Sequence, residues 1–305
     1  MTRQIHDQFG KELLAELVQP LGQVNTNQEI HAETYHADLG FIPSPTAKAE
    51  SFQKLGLLGQ LVRTSCLLEY FWKPPTLAEV RGGLLKLFSW HGQLRREAKP
   101  KRLSENDLSR LWIVTTTIPK SFFTQISLKL NLLEWGEGVY VMEALFKTAI
   151  VAIDRLPLTP ETVWLRLLGR GESQEQAVET VLAWVKTDPS LSNVLEIIYK
   201  WCTLLDTKPH LTEPEKELLM NVEQVYQEAR QQAVQQGRLE MQREMQRAFV
   251  ESLLKSRFGK VDRSLSKVVD SLVQFSPQEV ADYLLQWSRE ELIAEFGKKR
   301  AKGKN

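Results

Sequence analysis

The run LWIVTTT, residues 111–117, is the clearest strand in the sequence, and what surrounds it restricts the fold more than any other feature. CLLEYFW at 66–72 is a second such run, short, apolar and aromatic, and Pro74–Pro75 stops it. VYVMEA at 139–144 and TAIVAID at 148–154 follow. Helical patterns stand between and before these strands. Residues 4–19 place Ile5, Phe9, Leu13, Leu14 and Leu17 on one helical face, ended by Pro20 and Gly22. Residues 52–63 read as a short helix, and Thr76 with Glu79 three residues on is a capping-box start for a helix reaching about Ala98. Residues 23–42 read as extended up to Pro43 and Pro45. This order predicts an α/β domain with a mixed sheet over residues 1–157.

Beyond Pro157 the pattern becomes helical throughout. Segments 159–169, 172–185 and 191–205 predict a helical extension over 158–211, with Pro160 at a first helical position. A helix from Thr212 runs on to about Phe258. Its stretch 212–247 has amphipathic ends (Leu218, Val222, Val225; Met241, Met245) around a polar waist, QQAVQQGR, and reads as a coiled-coil arm or an exposed connecting helix. Residues 248–296 carry the pattern of a small helical bundle, with Ser276, Pro277 and Glu279 opening one helix. Residues 297–305, GKKRAKGKN, form a basic tail expected to be disordered.

Composition excludes more than it identifies. A net charge of +1 over 305 residues gives no global steering toward nucleic acid or an anionic membrane. The N-terminus lacks a signal-type apolar core, and no window approaches the ~18 apolar residues of a membrane span. Cys66 and Cys202 are far apart and form no CxxC pair, so a cytoplasmic setting is expected. No G-x-S-x-G elbow is present, and Gly169-Arg170-Gly171 reads as a helix C-cap. One residue is out of place. Asp38 sits inside the extended run HAETYHADLGFIP, where a charge needs a partner or a role.

Four stretches, IHDQFGKELLAEL, GLLGQLVRTSCLLEYFWKPPT, LWIVTTTIP and AIVAIDRLPLTPETVWLRLLGRG, resemble a family found mostly in cyanobacteria. That family is similar to the recombination-promoting nuclease and putative transposase proteins, whose fold is of the PD-(D/E)XK type. LLKSRFGKVDRSL followed by SPQEVADYLLQW resembles a small C-terminal domain of unknown function. The resemblance implies a restriction-endonuclease-like mixed-sheet domain, a Mg2+ cofactor, DNA as partner and phosphodiester hydrolysis. Such nucleases hold the metal with acids on neighbouring strands and place a lysine two residues past the second acid.

Carried onto this chain, Asp38 takes the first acidic position and Glu69 the second. Phe71 stands where the lysine is expected, and Lys73 is the substitute within reach. Glu12 and Glu16 are the first-helix candidates for a third acid, with Lys11 and His6 nearby. Glu97-Ala98-Lys99 has the right spacing but lies at the end of a helix. Arg95, Arg96, Lys99, Lys101 and Arg102 form a local basic patch that reads as a solvated helix end. Two functions therefore stand: a Mg2+-dependent DNA endonuclease, or an inactive nuclease fold that pairs with itself or another protein through the long helix and the C-terminal bundle.

Overall fold

The computed structural model describes residues 2–30, 35–97, 104–206 and 211–297. It forms two compact units, Met1–Gln227 and Glu228–Asn305. The first contains α1 (Thr2–Val18), the hairpin β1 (Gly22–Ile30) and β2 (Tyr35–Pro43), α2 (Ala49–Lys54), α3 (Gly56–Leu61), β3 (Cys66–Phe71), α4 (Leu77–Glu97) and β4 (Arg110–Thr115). Then come α5 (Phe122–Gln125), β5 (Lys129–Leu130), β6 (Val139–Val141), β7 (Thr148–Ala152), α6 (Val163–Arg166), α7 (Glu172–Val185) and α8 (Ser192–Leu205). Helix α9 (Glu213–Phe258) begins in this unit and ends in the second.

The seven strands form one mixed sheet in the order β1-β2-β3-β4-β7-β6-β5. The centre, β3–β4–β7, is parallel, and the remaining pairs are antiparallel. Parallel neighbours need a crossover, and α4 supplies it between β3 and β4. Val80, Leu87 and Trp90 of α4 pack with Leu67, Leu111, Ile113 and Ile150 of the sheet. The apolar runs that mark β3, β4 and β7 in the sequence are buried almost throughout, as sheets covered on both faces require.

Helix α1 buries Phe9, Leu13, Leu14 and Leu17, the stripe expected from their spacing. Gly10 lets it approach β3: a Cβ there would lie 2.5 Å from the Tyr70 ring. On α8, Trp201 stacks on Phe9 at 5.0 Å and donates its indole N–H to His6 Nδ1 at 3.3 Å. The helical extension after Pro157 shares one compact unit with the sheet. The expected helix over 159–169 is only a 3-10 turn at Pro160–Thr162 and the short α6. There Thr162 Oγ1 donates to the carbonyls of Pro157 and Thr159, and the buried Arg166 guanidinium donates to Thr162 Oγ1 and to the carbonyls of Thr159 and Ser173. These side-chain bonds compete with regular helical bonding. Gly171, at φ 57°, starts α7 rather than closing the helix before it.

The second unit packs the end of α9 with α10 (Arg263–Leu272), α11 (Pro277–Gln286) and α12 (Arg289–Phe296). Val250, Leu254, Leu265, Val269, Leu272, Val280, Leu284 and Leu292 are its core. Asp262 caps α10, and Ser276 with Glu279 forms the expected capping box of α11. Ser288 with Glu291 forms another, opening α12, a further helix of the bundle. In α9 every residue from Arg230 to Met245 is exposed. No helix among the described residues is long and apolar enough to cross a membrane. Ala98, Lys99, Lys101, Arg102 and the tail from Lys298 lie outside the described residues, and with them most of the basic patch and the Glu97-Ala98-Lys99 alternative.

Candidate functional site

Antiparallel pairing of β2 with β3 runs from Phe41–Cys66 to Leu39–Leu68 and stops. The next residues along would be Asp38 and Glu69. Instead of another ladder bond, the Tyr70 backbone N–H donates to Asp38 Oδ2 at 2.9 Å. The Asp38 carboxylate thus replaces a backbone acceptor where the ladder ends. A cleft of about 430 Å³ opens here. Asp38, Glu69, Phe71, Trp72 and Lys73 line it from the strands and the turn after β3, Asp7 from α1, and Glu79, Gly82 and Lys86 from α4. Gly82 leaves its wall open, since nothing lies within 4 Å of where a Cβ would be.

Glu69 is the most enclosed acid of the cleft, with a side chain 6% exposed. Both its oxygens accept from Lys86 Nζ, at 2.8 and 2.9 Å. Burial pushes its carboxyl up to about 7, from an ordinary value near 4.5; the negative charge of Asp38 adds to the rise, and Lys86 and a hydrogen bond from the Asp38 backbone oppose it. Asp38 Oδ1 lies 3.1 Å from Lys11 Nζ, which also reaches Asp7 Oδ2 at 2.9 Å. Burial acts to lower the Lys11 pKa, but its bonds to these two carboxylates outweigh burial and hold it above the usual lysine value. Tyr70 fixes the floor at two points: its N–H holds Asp38, and its buried hydroxyl donates to the Leu168 carbonyl at 2.8 Å.

The two strand acids named from the sequence therefore face one cleft. Lys73 lines it too, but forms no ion pair among the described residues. Lys86, not anticipated, bonds the second acid. Glu12 does not line the cleft: it accepts from Gln8 at 2.6 Å on another face of α1, one residue and about 100° round from Lys11. Glu16 is also absent from the lining, and Asp7 is the α1 acid that reaches it. His6 is a core residue, stacked on Trp72 at 3.6 Å and bonded to Trp201. Across Trp72 lies the Arg170 guanidinium, 4.1 Å from the ring centroid and donating to the Trp72 carbonyl. Both cysteines are buried, and burial raises both thiols, Cys202 to about 12, so neither is a thiolate nucleophile.

The donor set suits a hard cation. Mg2+ takes oxygen ligands and is commonly held by one or two carboxylates together with waters and substrate phosphate. Asp38 and Glu69 supply two such carboxylates, each paired to a lysine. Among the described residues no three His, Cys, Asp or Glu side chains form a cluster able to hold a metal ion. Searches of protein-family models, curated proteins and solved structures found no match to this chain.

Proposed function

We propose that the first unit is a Mg2+-dependent DNA phosphodiesterase of the recombination-promoting nuclease type that its sequence resembles. One observation carries the reading: acids from neighbouring strands face one cleft, and a lysine bonds the more buried acid. Asp38 and Glu69 would hold Mg2+, which supplies charge neutralisation at phosphorus and a more acidic water. Lys86 takes the part of the lysine expected at position 71. Its ammonium, already seated on Glu69, orients the attacking water and offsets charge on the phosphoryl oxygens. The water oxygen bonds to phosphorus as it gives up a proton to solvent, the opposite P–O bond breaks, and the departing sugar oxygen takes a proton from solvent. The Tyr70 N–H keeps Asp38 aimed into the cleft. Purified protein is expected to nick supercoiled plasmid with Mg2+ or Mn2+, and Asp38→Ala to lose at least about a hundredfold in rate. A wild-type protein that leaves plasmid intact with either metal refutes the reading.

A second reading, a self-pairing module, is favoured by the exposed stretch of α9. Met241, Met245 and Phe249 lie exposed along it, at helical spacing of four. If two copies pair there, light scattering should give twice the chain mass, and Met241→Glu with Met245→Glu should return it to that of one chain. A monomeric wild type rejects this reading and leaves the first untouched.

A further inference from the structure

The acids that a divalent cation would need are already engaged by the protein's own cations. Both oxygens of Glu69 accept from Lys86. Asp38 has one oxygen on Lys11 and the other on the Tyr70 N–H. Asp7, the remaining acid from α1, is held by the same Lys11. Glu79 is committed to its own helix start, where it accepts from the Thr76 N–H at 2.7 Å and hydroxyl at 3.0 Å. The two lysines come from different helices, α1 and α4, and each is only partly exposed, at 21%. Lys86 lines the cleft, and Lys11 holds two of the acids that line it.

A free divalent cation entering this cleft meets carboxylate lone pairs in use and two ammonium groups at contact distance. Like charges that close repel strongly wherever water is partly excluded. A phosphodiester changes the balance. It brings a negative charge and acceptor oxygens, to which a lysine ammonium can turn as a point-charge donor. Once Lys11 and Lys86 turn toward phosphate, the oxygens of Asp38 and Glu69 are released to a metal.

We infer that Lys11 and Lys86 are resident counter-cations that lock the cleft against free divalent metal, and that a phosphodiester unlocks it. The inference rests on the nuclease reading for the identity of the substrate, but the lock concerns metal binding alone. It makes metal and nucleic acid mutually dependent ligands, since coupling between two binding events is reciprocal. It also separates the roles of three lysines: Lys11 and Lys86, bonded to the cleft acids, carry the lock, and Lys73, which lines the cleft but forms no ion pair among the described residues, does not.

The test is titration of Mn2+ alone into full-length wild type, Lys11→Met, Lys86→Met and Lys73→Met, followed by calorimetry. Wild type and Lys73→Met are expected to bind weakly and alike. Lys11→Met and Lys86→Met are expected to bind at least tenfold more tightly. Lys11→Met also loses the bridge between α1 and β2 and is expected to melt lower; Lys86→Met tests the same lock from a different helix. A second arm measures a short DNA duplex by anisotropy, with and without Ca2+, and expects wild type to bind at least tenfold more tightly when Ca2+ is present. Tight Mn2+ binding by wild type overturns the inference, even if plasmid is cut. Equally weak binding by all four proteins also overturns it. Tighter binding by both lysine variants, with plasmid left intact by wild type, upholds the lock and defeats the nuclease.

Discussion

Glu69→Gln is expected to abolish metal-dependent cleavage, by at least about a hundredfold, and yet to stabilise the protein at pH 8. The two effects have one cause. Glu69 is buried in a cleft wall beside Asp38, and burial raises its carboxyl to about 7. The folded protein therefore holds a proton on this group between about 4.5 and 7, and the unfolded chain does not. Where the folded state binds more protons, stability falls as pH rises. The penalty is absent below about 4.5, grows across that window and is fully present above about 7. A shift of this size corresponds to a cost on the order of 3 kcal/mol at pH 8. Glutamine has nothing to ionise and escapes it. Lys86, left without its carboxylate, keeps part of its side chain in water. Urea unfolding of both proteins at several pH values checks this: the difference between them should grow from pH 4.5 to 7 and then level off. A variant less stable than wild type at pH 8 would falsify the account of Glu69. Cleavage by wild type should rise through pH 7, where Glu69 becomes a carboxylate able to hold a cation.

Lys86→Met is expected to lose about 10²–10³-fold in kcat, the usual cost of removing one donor aimed at developing charge. Without the ammonium, the factor that most lowers the Glu69 carboxyl is gone, so the remaining activity should need a higher pH. The position is open to a sharper test. Residues two apart on a strand share a face, which places Phe71 on the side of Glu69, and Phe71 lines the same cleft. Lys86→Met combined with Phe71→Lys returns an ammonium to the cleft from the strand. If the lysine function has moved from β3 to α4, the double variant should recover part of the lost rate in plasmid nicking. Full activity in Lys86→Met alone would remove Lys86 from the chemistry.

Asp38 and Glu69 were legible in the sequence because Asp38 is a charge inside an extended run and Glu69 is the one acid of an apolar strand, where an unpartnered charge is costly. The start of α4 was legible because Thr76 and Glu79 have capping-box spacing, and their bonds are present. Lys86 was not. It is a polar residue on an amphipathic helix, where solvated lysines are ordinary, and it lies seventeen positions past the acid it bonds. The faint signal was Glu79, Gly82 and Lys86, spaced by three and four and hence on one face. The third acid was misplaced because Asp7, Glu12 and Glu16 share one helix, and only tertiary packing decides which of its faces meets the cleft. The strands of the parallel centre were readable as apolar runs. The two-residue β5 was too short to leave a pattern, whereas α12 had a readable start in Ser288 and Glu291. Residues 159–169 misled because helix-forming residues there are overruled by the bonds of Thr162 and Arg166.

Helix α4 is both the crossover that makes β3 and β4 parallel and the carrier of Lys86. Folding order and site assembly are therefore linked. A chain whose sheet centre has formed without α4 docked holds Glu69 beside Asp38 with no ammonium on it and without the helix that lines its cleft. Docking of the helix buries Val80 and Leu87 and delivers the lysine in the same motion, so half-built chains cannot present the charged, paired acid of the native protein.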